Sequence, residues 1–364
     1  SRRHAVNMTI NQWVPAAHRG DAVGDSARRV RDLLRTRGIE SNLYALSIDD
    51  DLRGDVLPFD NISSHLGDAT ILHFAVPSIM STKFAQLKSR TVIQYHNITP
   101  AHFFAPYDSG IFRIAARGRE ELKTLVGHVD VALGDSEYNR QELETLGFNT
   151  TGVVPIIVDT TRITKSPVEP VLEETLLGDG LANILFVGRI APNKKIEDII
   201  RLAEHYKRYV DTDYRFIFVG RTDAVPRYYD TILALIAEYQ MPRDRFVFTG
   251  TVTDSELATY YRASHAYVSL SEHEGFCVPL VEAMAADIPV LAFGATAVPE
   301  TLGGAGICFS PKDLEYAAEI LGLLVYDDTV RSDIIAGQQS RVADFGPAST
   351  DAVIDDLISV CSHQ

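Results

Sequence analysis

Twice along this chain, short apolar runs rich in β-branched and aromatic residues alternate with longer amphipathic stretches. The first series is MTINQWV (8–14), NLYALSI (42–48), ATILHFAV (69–76), TVIQYH (91–96), VDVALGD (129–135) and GVVPIIV (152–158), separated by helical patterns such as DSARRVRDLLRTRG and RGREELKTLVGHV. The second series is NILFVG (183–188), RFIFVG (215–220), RFVFTG (245–250), AYVSLS (266–271), PVLAFG (289–294) and GICF (306–309), separated by KIEDIIRLAEHYKRYV, SELATYYRASHA and similar stretches. Near-continuous apolar strands alternating with helices predict parallel sheets covered on both faces. Between the two series lies TTRITKSPVEPVLEETLLGDGLAN (160–183), with two prolines, two glycines and no strand pattern, which reads as a domain boundary. The expected fold class is therefore α/β, two doubly wound Rossmann-like domains facing a cleft. The expected domains are 1–172 and 173–345, with 346–364 forming a C-terminal helix that crosses back to the first. A length of 364 residues suits two domains of about 100–200 residues each.

Bulk properties exclude several classes of function. The net charge of −15 is unevenly shared: residues 1–172 carry 19 basic and 20 acidic side chains, residues 173–364 carry 15 and 29. Neither half has the basic footprint of a nucleic-acid binder. No apolar run approaches the ~18 residues of a spanning helix, and no apolar secretory signal opens the chain. Three cysteines, Cys277, Cys308 and Cys361, are too few and too scattered for a disulfide framework or a metal cluster. A cytoplasmic setting is the expectation. Ser1–Asn7, ahead of Met8, is left out of the fold argument, and the oligomeric state is not legible. The dinucleotide fingerprint G-x-G-x-x-G is missing from both halves: Gly20 and Gly24 in RGDAVGDSA are wrongly spaced, and LGGAG (302–306) precedes a strand. A nicotinamide enzyme is not expected.

In open α/β sheets ligands lie beyond the carboxyl ends of the strands. Three strands of the second series end in glycine, at Gly188, Gly220 and Gly250. Such glycines suit close approach of backbone to a ligand, ordinary strand-to-helix turns being the plain alternative. After Gly188 the stretch RIAPNKK places Arg189, Lys194 and Lys195 ahead of the helix KIEDII. Cations at a helix N-terminus are unfavourable unless an anion compensates, and a diphosphate is such an anion. Further on, EGFCVPLVE holds two carboxylates, Glu274 and Glu282, with seven residues between them. Gly275 breaks regular structure and Pro279 suits a first helical turn, so Glu274 falls in a loop and Glu282 about one turn inside a helix. Each carboxylate can accept from two neighbouring hydroxyls, and the amides of Phe276, Cys277 and Val278 between them are free for phosphate. Two acids bracketing amide donors and cations describe a site for a nucleoside diphosphate sugar.

The segment SEHEGFCVPLVEAMAADIPVLA, with VGRIAPNK upstream and AVPET downstream, resembles the retaining glycosyltransferases of family 4, which have the GT-B fold. The likeness is close over 183–309 and looser at RGDAVGDSARRV, YHNITP and GDSEYNRQEL. It implies that Arg189 and Lys194 bind the donor diphosphate, beside Gly188. Glu274 would contact the transferred sugar and Glu282 the ribose, amides around Gly275, Phe276 and Cys277 would hold sugar and phosphate, and the turn containing Gly250 and Val252 would border the base. In the first half it implies that the Gly24 amide runs under the diphosphate and that His96 contacts sugar or acceptor without acting as nucleophile. Three positions depart from the family pattern: Lys195 and Asp287 stand where glycine is usual, with local turns affected, and Asp25 stands in a loop that is often Gly-Gly.

The activity so implied is retaining transfer of a hexose from a UDP- or GDP-sugar to a hydroxyl of a glycan, lipid-linked or small-molecule acceptor. It needs no cofactor beyond the sugar nucleotide and no metal, because helix ends and cations stabilise the leaving group. An epimerase of the same fold and a non-catalytic nucleotide-sugar-binding protein are the alternatives. The acidic run Asp49–Asp51 reads as surface, and His18, His73 and His96 are too far apart in sequence to suggest a metal site. The stretch 110–129 carries Arg113, Arg117, Arg119 and Lys123 beside an apolar side. The family implies peripheral membrane contact for such a face, against the plainer reading of a solvated face over core.

Overall fold

A computed structural model describes residues 8–62 and 67–362. The excluded stretch Ser1–Asn7 lies outside them. The chain forms two compact units: Ser1–Ala101, Gly110–Val158 and Pro347–Gln364 make one, His102–Ser109 and Asp159–Gly346 the other.

The first unit is built on a parallel sheet of seven strands: β1 (Ile10–Ala17), β2 (Leu43–Ile48), β3 (Leu57–Pro58), β4 (Ala69–Phe74), β5 (Arg90–Tyr95), β6 (Val131–Gly134) and β7 (Thr151–Val153), in the order β3-β2-β1-β4-β5-β6-β7. Its helices are α1 (Ala22–Thr36), α2 (Met80–Phe84), α3 (Ser109–Thr124) and α4 (Glu137–Leu146). β4 is buried along its whole length, as a strand covered on both faces must be. The last run of the first series is a strand only over Thr151–Val153. Pro155, two residues on, cannot donate to the ladder.

In the second unit α5 (Thr161–Lys165) and α6 (Pro170–Leu177) precede β8 (Ala182–Val187). There follow α7 (Ile196–Tyr209), β9 (Tyr214–Val219), α8 (Pro226–Glu238), β10 (Phe246–Gly250), α9 (Asp254–Arg262), β11 (Ala266–Ser269), α10 (Val278–Ala285), β12 (Val290–Phe293), α11 (Val298–Leu302), β13 (Ile307–Phe309), α12 (Leu314–Tyr326) and α13 (Asp328–Val342). The sheet is parallel, in the order β10-β9-β8-β11-β12-β13. A last helix, α14 (Pro347–Ser362), belongs to the first unit, where Ile354, Leu357 and Cys361 join a core with Ile10, Ile71 and Val92. Arg90 Nε donates to the Val360 carbonyl at 2.6 Å.

The division at Val158/Asp159 differs from the expected 172/173. Segment 159–177 buries Ile163 and Leu176, and the Glu169 amide donates to the Thr259 hydroxyl of α9 at 2.8 Å. Apolar burial ties this helical piece to the second unit although its composition reads as linker. The insertion His102–Ser109 also joins that unit, with the Tyr107 ring edge-on to Tyr228 at 5.1 Å. On α3 the Arg119 guanidinium is turned inward, donating to the Ile98 carbonyl at 3.0 Å and facing Glu142 at 3.6 Å. It is therefore not part of an outward basic face.

Each strand order reverses once, between β1 and β4 and between β8 and β11. At such a switch point the two following connections leave in opposite directions and open a crevice beyond the strand ends. Of the residues singled out in the sequence, Arg189 and Lys194 follow β8, Glu274 to Glu282 follow β11, Gly24 follows β1 and His96 follows β5, while Gly250 ends β10 and Val252 lies just beyond it.

Candidate functional site

The loop after β8 and the loop after β11 are stitched together by Asn193. Its Nδ2 donates to the His273 carbonyl at 3.1 Å. Its own carbonyl accepts from the Ser271 hydroxyl at 3.1 Å and the Glu272 amide at 2.9 Å. Thr296 secures the next residue: its hydroxyl accepts from the Glu274 amide at 2.8 Å and donates to the Glu274 carbonyl at 2.9 Å. These bonds hold the two motifs in one frame.

Within that frame Lys194 Nζ lies 2.6 Å from Glu274 Oε1, both side chains being largely buried. Glu282, on α10, is 5% exposed and accepts from Arg162 Nη2 at 3.0 Å. Arg162 also faces Asp254 at 3.4 Å, at the start of α9 and two residues beyond Val252. Burial opposes the charge on Arg162, but Glu282 and, after it, Asp254 together raise the guanidinium pKa above its ordinary value. Both carboxylates thus carry a cation partner in the protein alone. Arg162 escaped the sequence reading because it sits in a stretch that looks like linker, and no motif marks it.

Arg189 contrasts with both pairs. It is exposed, and among the described residues its guanidinium has no hydrogen-bond or ion-pair partner. Between the two glutamates, Cys277 takes the left-handed conformation (φ 75°) as the residue preceding α10, with Pro279 in the first turn. Among the described residues the amides of Gly275, Phe276, Cys277 and Val278 donate to no protein group. Four unsatisfied donors at a helix start make an anion-binding arrangement. The Phe276 carbonyl, turned the other way, accepts from the Thr301 hydroxyl at 2.5 Å. Burial, then the charge of Glu274, pushes the Cys277 thiol pKa up, which opposes the thiolate that a nucleophile needs.

The Gly24 amide is not free: the Asp21 carboxylate caps α1 and accepts from it at 3.1 Å. An anion already occupies that helix end. Asp25, in the same turn, lies 3.7 Å from Arg28. Gly188, Gly220 and Gly250 all have positive φ, but the reason at Gly220 is internal: a Cβ there would lie 2.0 Å from the Gly188 carbonyl oxygen. At Gly220 glycine serves the approach of two strand exits to each other. Gly250 has φ 69° and open space around it, so its turn needs glycine for backbone conformation alone.

The two departures from the family glycines have a common account. Lys195 has φ 52° and Asp287 φ 58°. Both occupy the left-handed region, which glycine adopts without strain and other residues at a cost of about 1–2 kcal/mol. Lys195 gains only loose partners in return: Glu197 at 3.7 Å, Glu272 at 3.8 Å and the Phe103 ring at 5.9 Å. Lys195→Gly is therefore expected to leave stability within about 1 kcal/mol of the parent, strain relief offsetting weak surface pairs and a freer unfolded chain. Chemical denaturation checks this.

In the first unit His96 immediately follows β5, its side chain 4% exposed. Nδ1 lies 2.7 Å from Asp135 Oδ2 and Nε2 lies 2.8 Å from His73 Nδ1, with the two imidazoles stacked at 5.1 Å. His73 and His96, set aside as too distant in sequence, are therefore in contact: β4 and β5 are adjacent parallel strands, and His73 pairs in register with Gln94. No cluster of three or more metal-ligating side chains occurs among the described residues. Nor is any described helix long and apolar enough to cross a membrane.

Residues 172–341 match the family described as glycosyl transferases group 1. Over 273 residues the chain is 27% identical to a GDP-mannose-dependent alpha-mannosyltransferase of Mycobacterium tuberculosis, covering 74% of this chain and 66% of that protein. Over 167 residues it is 28% identical to the serotype-specific mannosyltransferase WbdA of Escherichia coli, covering 46% of this chain and 20% of that one. The chain thus spans about a fifth of the length of that curated relative. Among solved structures, Anabaena HepE in complex with UDP-glucose superposes with a TM-score of 0.74 at 16% identity, over 97% of this chain and 99% of that one. WaaG, a glycosyltransferase involved in lipopolysaccharide biosynthesis, superposes with a TM-score of 0.69 at 12% identity, over 98% and 100%. These likenesses establish the fold: two parallel-sheet, Rossmann-like α/β units of the GT-B kind.

Proposed function

We propose that this protein is a glycosyltransferase that moves a hexose from a nucleoside diphosphate sugar to a hydroxyl acceptor with retention of anomeric configuration. The observation that carries the reading is the unpaired Arg189 together with the free amides of 275–278, in a frame whose two flanking carboxylates are already fixed by Lys194 and Arg162. A diphosphate bound there would satisfy the amides and the guanidinium, the motif charge without a protein partner among the described residues. Glu274 and Glu282 would accept from hydroxyls of the sugar and the ribose. As the sugar–phosphate bond breaks, negative charge grows on the phosphate oxygen, and Arg189, Lys194 and the amides stabilise it. That oxygen would take the acceptor proton on the face where the new bond forms, so no protein nucleophile is required, in keeping with the raised thiol pKa of Cys277. Charge stabilisation by these groups needs no metal. The role proposed for His96 is contact with the sugar or the acceptor.

GDP-mannose is the first donor to try, since the relatives named above include a GDP-mannose-dependent enzyme. The test is a melting-temperature titration with GDP, UDP, ADP and their common sugars in the presence of EDTA. GDP and GDP-mannose are expected to raise the midpoint, by the equivalent of about 2.7 kcal/mol at a hundredfold excess over Kd. Glu282→Gln is expected to weaken that shift while leaving the protein folded. A protein whose melting no nucleotide alters is not this enzyme.

A further inference from the structure

The first unit contains a buried row of side chains whose hydrogen-bond directions can be read from its fixed ends. At one end is the carbonyl of Ala27 in α1, which can only accept. Gln12 Nε2 donates to it at 2.9 Å, and this orients the amide so that Oε1 faces His73 Nε2 at 2.8 Å. An amide oxygen also only accepts, so His73 Nε2 carries a hydrogen. Burial, and after it the charge available on His96, holds His73 well below the usual imidazole range. His73 is bonded to the Gln12 amide and the His96 ring, whereas His96 faces the Asp135 carboxylate, so His73 is the neutral ring and, protonated at Nε2, has a bare Nδ1. His96 Nε2, 2.8 Å from that Nδ1, must then supply the hydrogen between them.

The other end is Asp135. Gln94 Nε2 donates one hydrogen to the Val154 carbonyl at 2.8 Å and the other to Asp135 Oδ1 at 2.6 Å. Asp135 Oδ2 faces His96 Nδ1 at 2.7 Å. With His96 Nε2 already protonated, that contact holds one more proton, which makes the pair an imidazolium against a carboxylate or a neutral imidazole against a carboxylic acid. Nearby in the fold, Glu142 bonds to Tyr95 and Asn97, and Arg119 to Ile98.

We infer that Gln12, His73 and Asp135 are positioning residues that fix His96 as a hydrogen-bond donor at Nε2, sharing one extra proton with Asp135. His96 is then unable to act as a base at Nε2. An approaching oxygen, whether hydroxyl or phosphate, meets a donor there once it replaces His73 as acceptor. That consequence for a sugar ligand rests on the function proposed above; the protonation pattern does not.

The experiment is long-range 1H–15N correlation of the histidine rings in the full chain at neutral pH without ligand, with the His96 signals identified by their loss in His96→Gln. His96 is expected to show a protonated Nε2, and His73 a protonated Nε2 with a bare Nδ1. Gln12→Leu removes the acceptor that orients His73. It should let the hydrogen move to His73 Nδ1, so that His96 Nε2 appears bare. Asp135→Asn, the second variant should Gln12→Leu fail to fold, offers an amide hydrogen to Nδ1. It should leave His96 with Nε2 alone protonated. A bare His96 Nε2 in the parent overturns the inference, as does a pattern that neither variant changes. Because no nucleotide is present, failure here is distinct from failure of the transferase reading.

Discussion

Arg189→Ala is expected to melt with the parent and yet to lose about 10²–10³ in turnover, the equivalent of about 2.7–4 kcal/mol of transition-state stabilisation. The two halves of this expectation come from separate observations. Stability is untouched because the guanidinium is exposed and has no partner among the described residues, so its removal leaves no buried group unsatisfied. Turnover falls because, on the proposed function, Arg189 answers charge that appears only as the sugar–phosphate bond breaks. Lys194 cannot be tested as cleanly. Its removal strands Glu274, 9% exposed, without the ammonium 2.6 Å away, and an uncompensated buried charge is strongly destabilising in its own right. Steady-state kinetics with the donor found by melting, beside a melting curve of each variant, decides the matter. Unchanged turnover would remove Arg189 from the mechanism. A lowered melting temperature would show that the residue is structural.

Gly220→Ala is expected to destabilise the second unit by about 2–6 kcal/mol, combining a steric term of about 1–3 with backbone strain of about 1–3. The added Cβ would sit 2.0 Å from the Gly188 carbonyl oxygen, a backbone atom that cannot rotate away, at a φ of 148°. Relief requires β8 and β9 to part at their carboxyl ends. That displaces Arg189, whose amide lies 3.2 Å from the same Cβ position. Stability and nucleotide binding should therefore fall together, unlike the Arg189 case. Gly250→Ala, where nothing lies within 4 Å, separates the contributions, since it carries only the strain of φ 69°. Equal losses at both positions would show that contact between the strand exits is not what requires glycine at 220.

These comparisons mark how far the linear pattern reaches. Strand positions were legible because a parallel sheet covered on both faces demands continuous apolar runs, and twelve such runs appear at or near the observed strands. The glutamate pair and the cations after β8 were legible because one short segment carries each motif. What each charge touches was not. Lys194, expected at the donor phosphate, also pairs with Glu274 in the protein alone. Gly24, whose amide is expected near the helix N-terminus under the diphosphate, donates to Asp21 in the protein alone. Arg162 was passed over and is found on Glu282. The cations on the two glutamates come from 80 and 120 positions away and no periodicity encodes them, whereas the Asp21 cap is local, three residues from Gly24.

The sequence by itself determined the alternation of strands and helices, the two sheets and the place of the candidate motifs at strand ends, since burial pattern and turn chemistry are local. Only the tertiary structure decided which cation stays free, why Gly220 must be glycine, and that His73 and His96 meet. Those depend on distances between strands adjacent in the sheet and remote in the chain, set by register and packing rather than by any neighbouring residue.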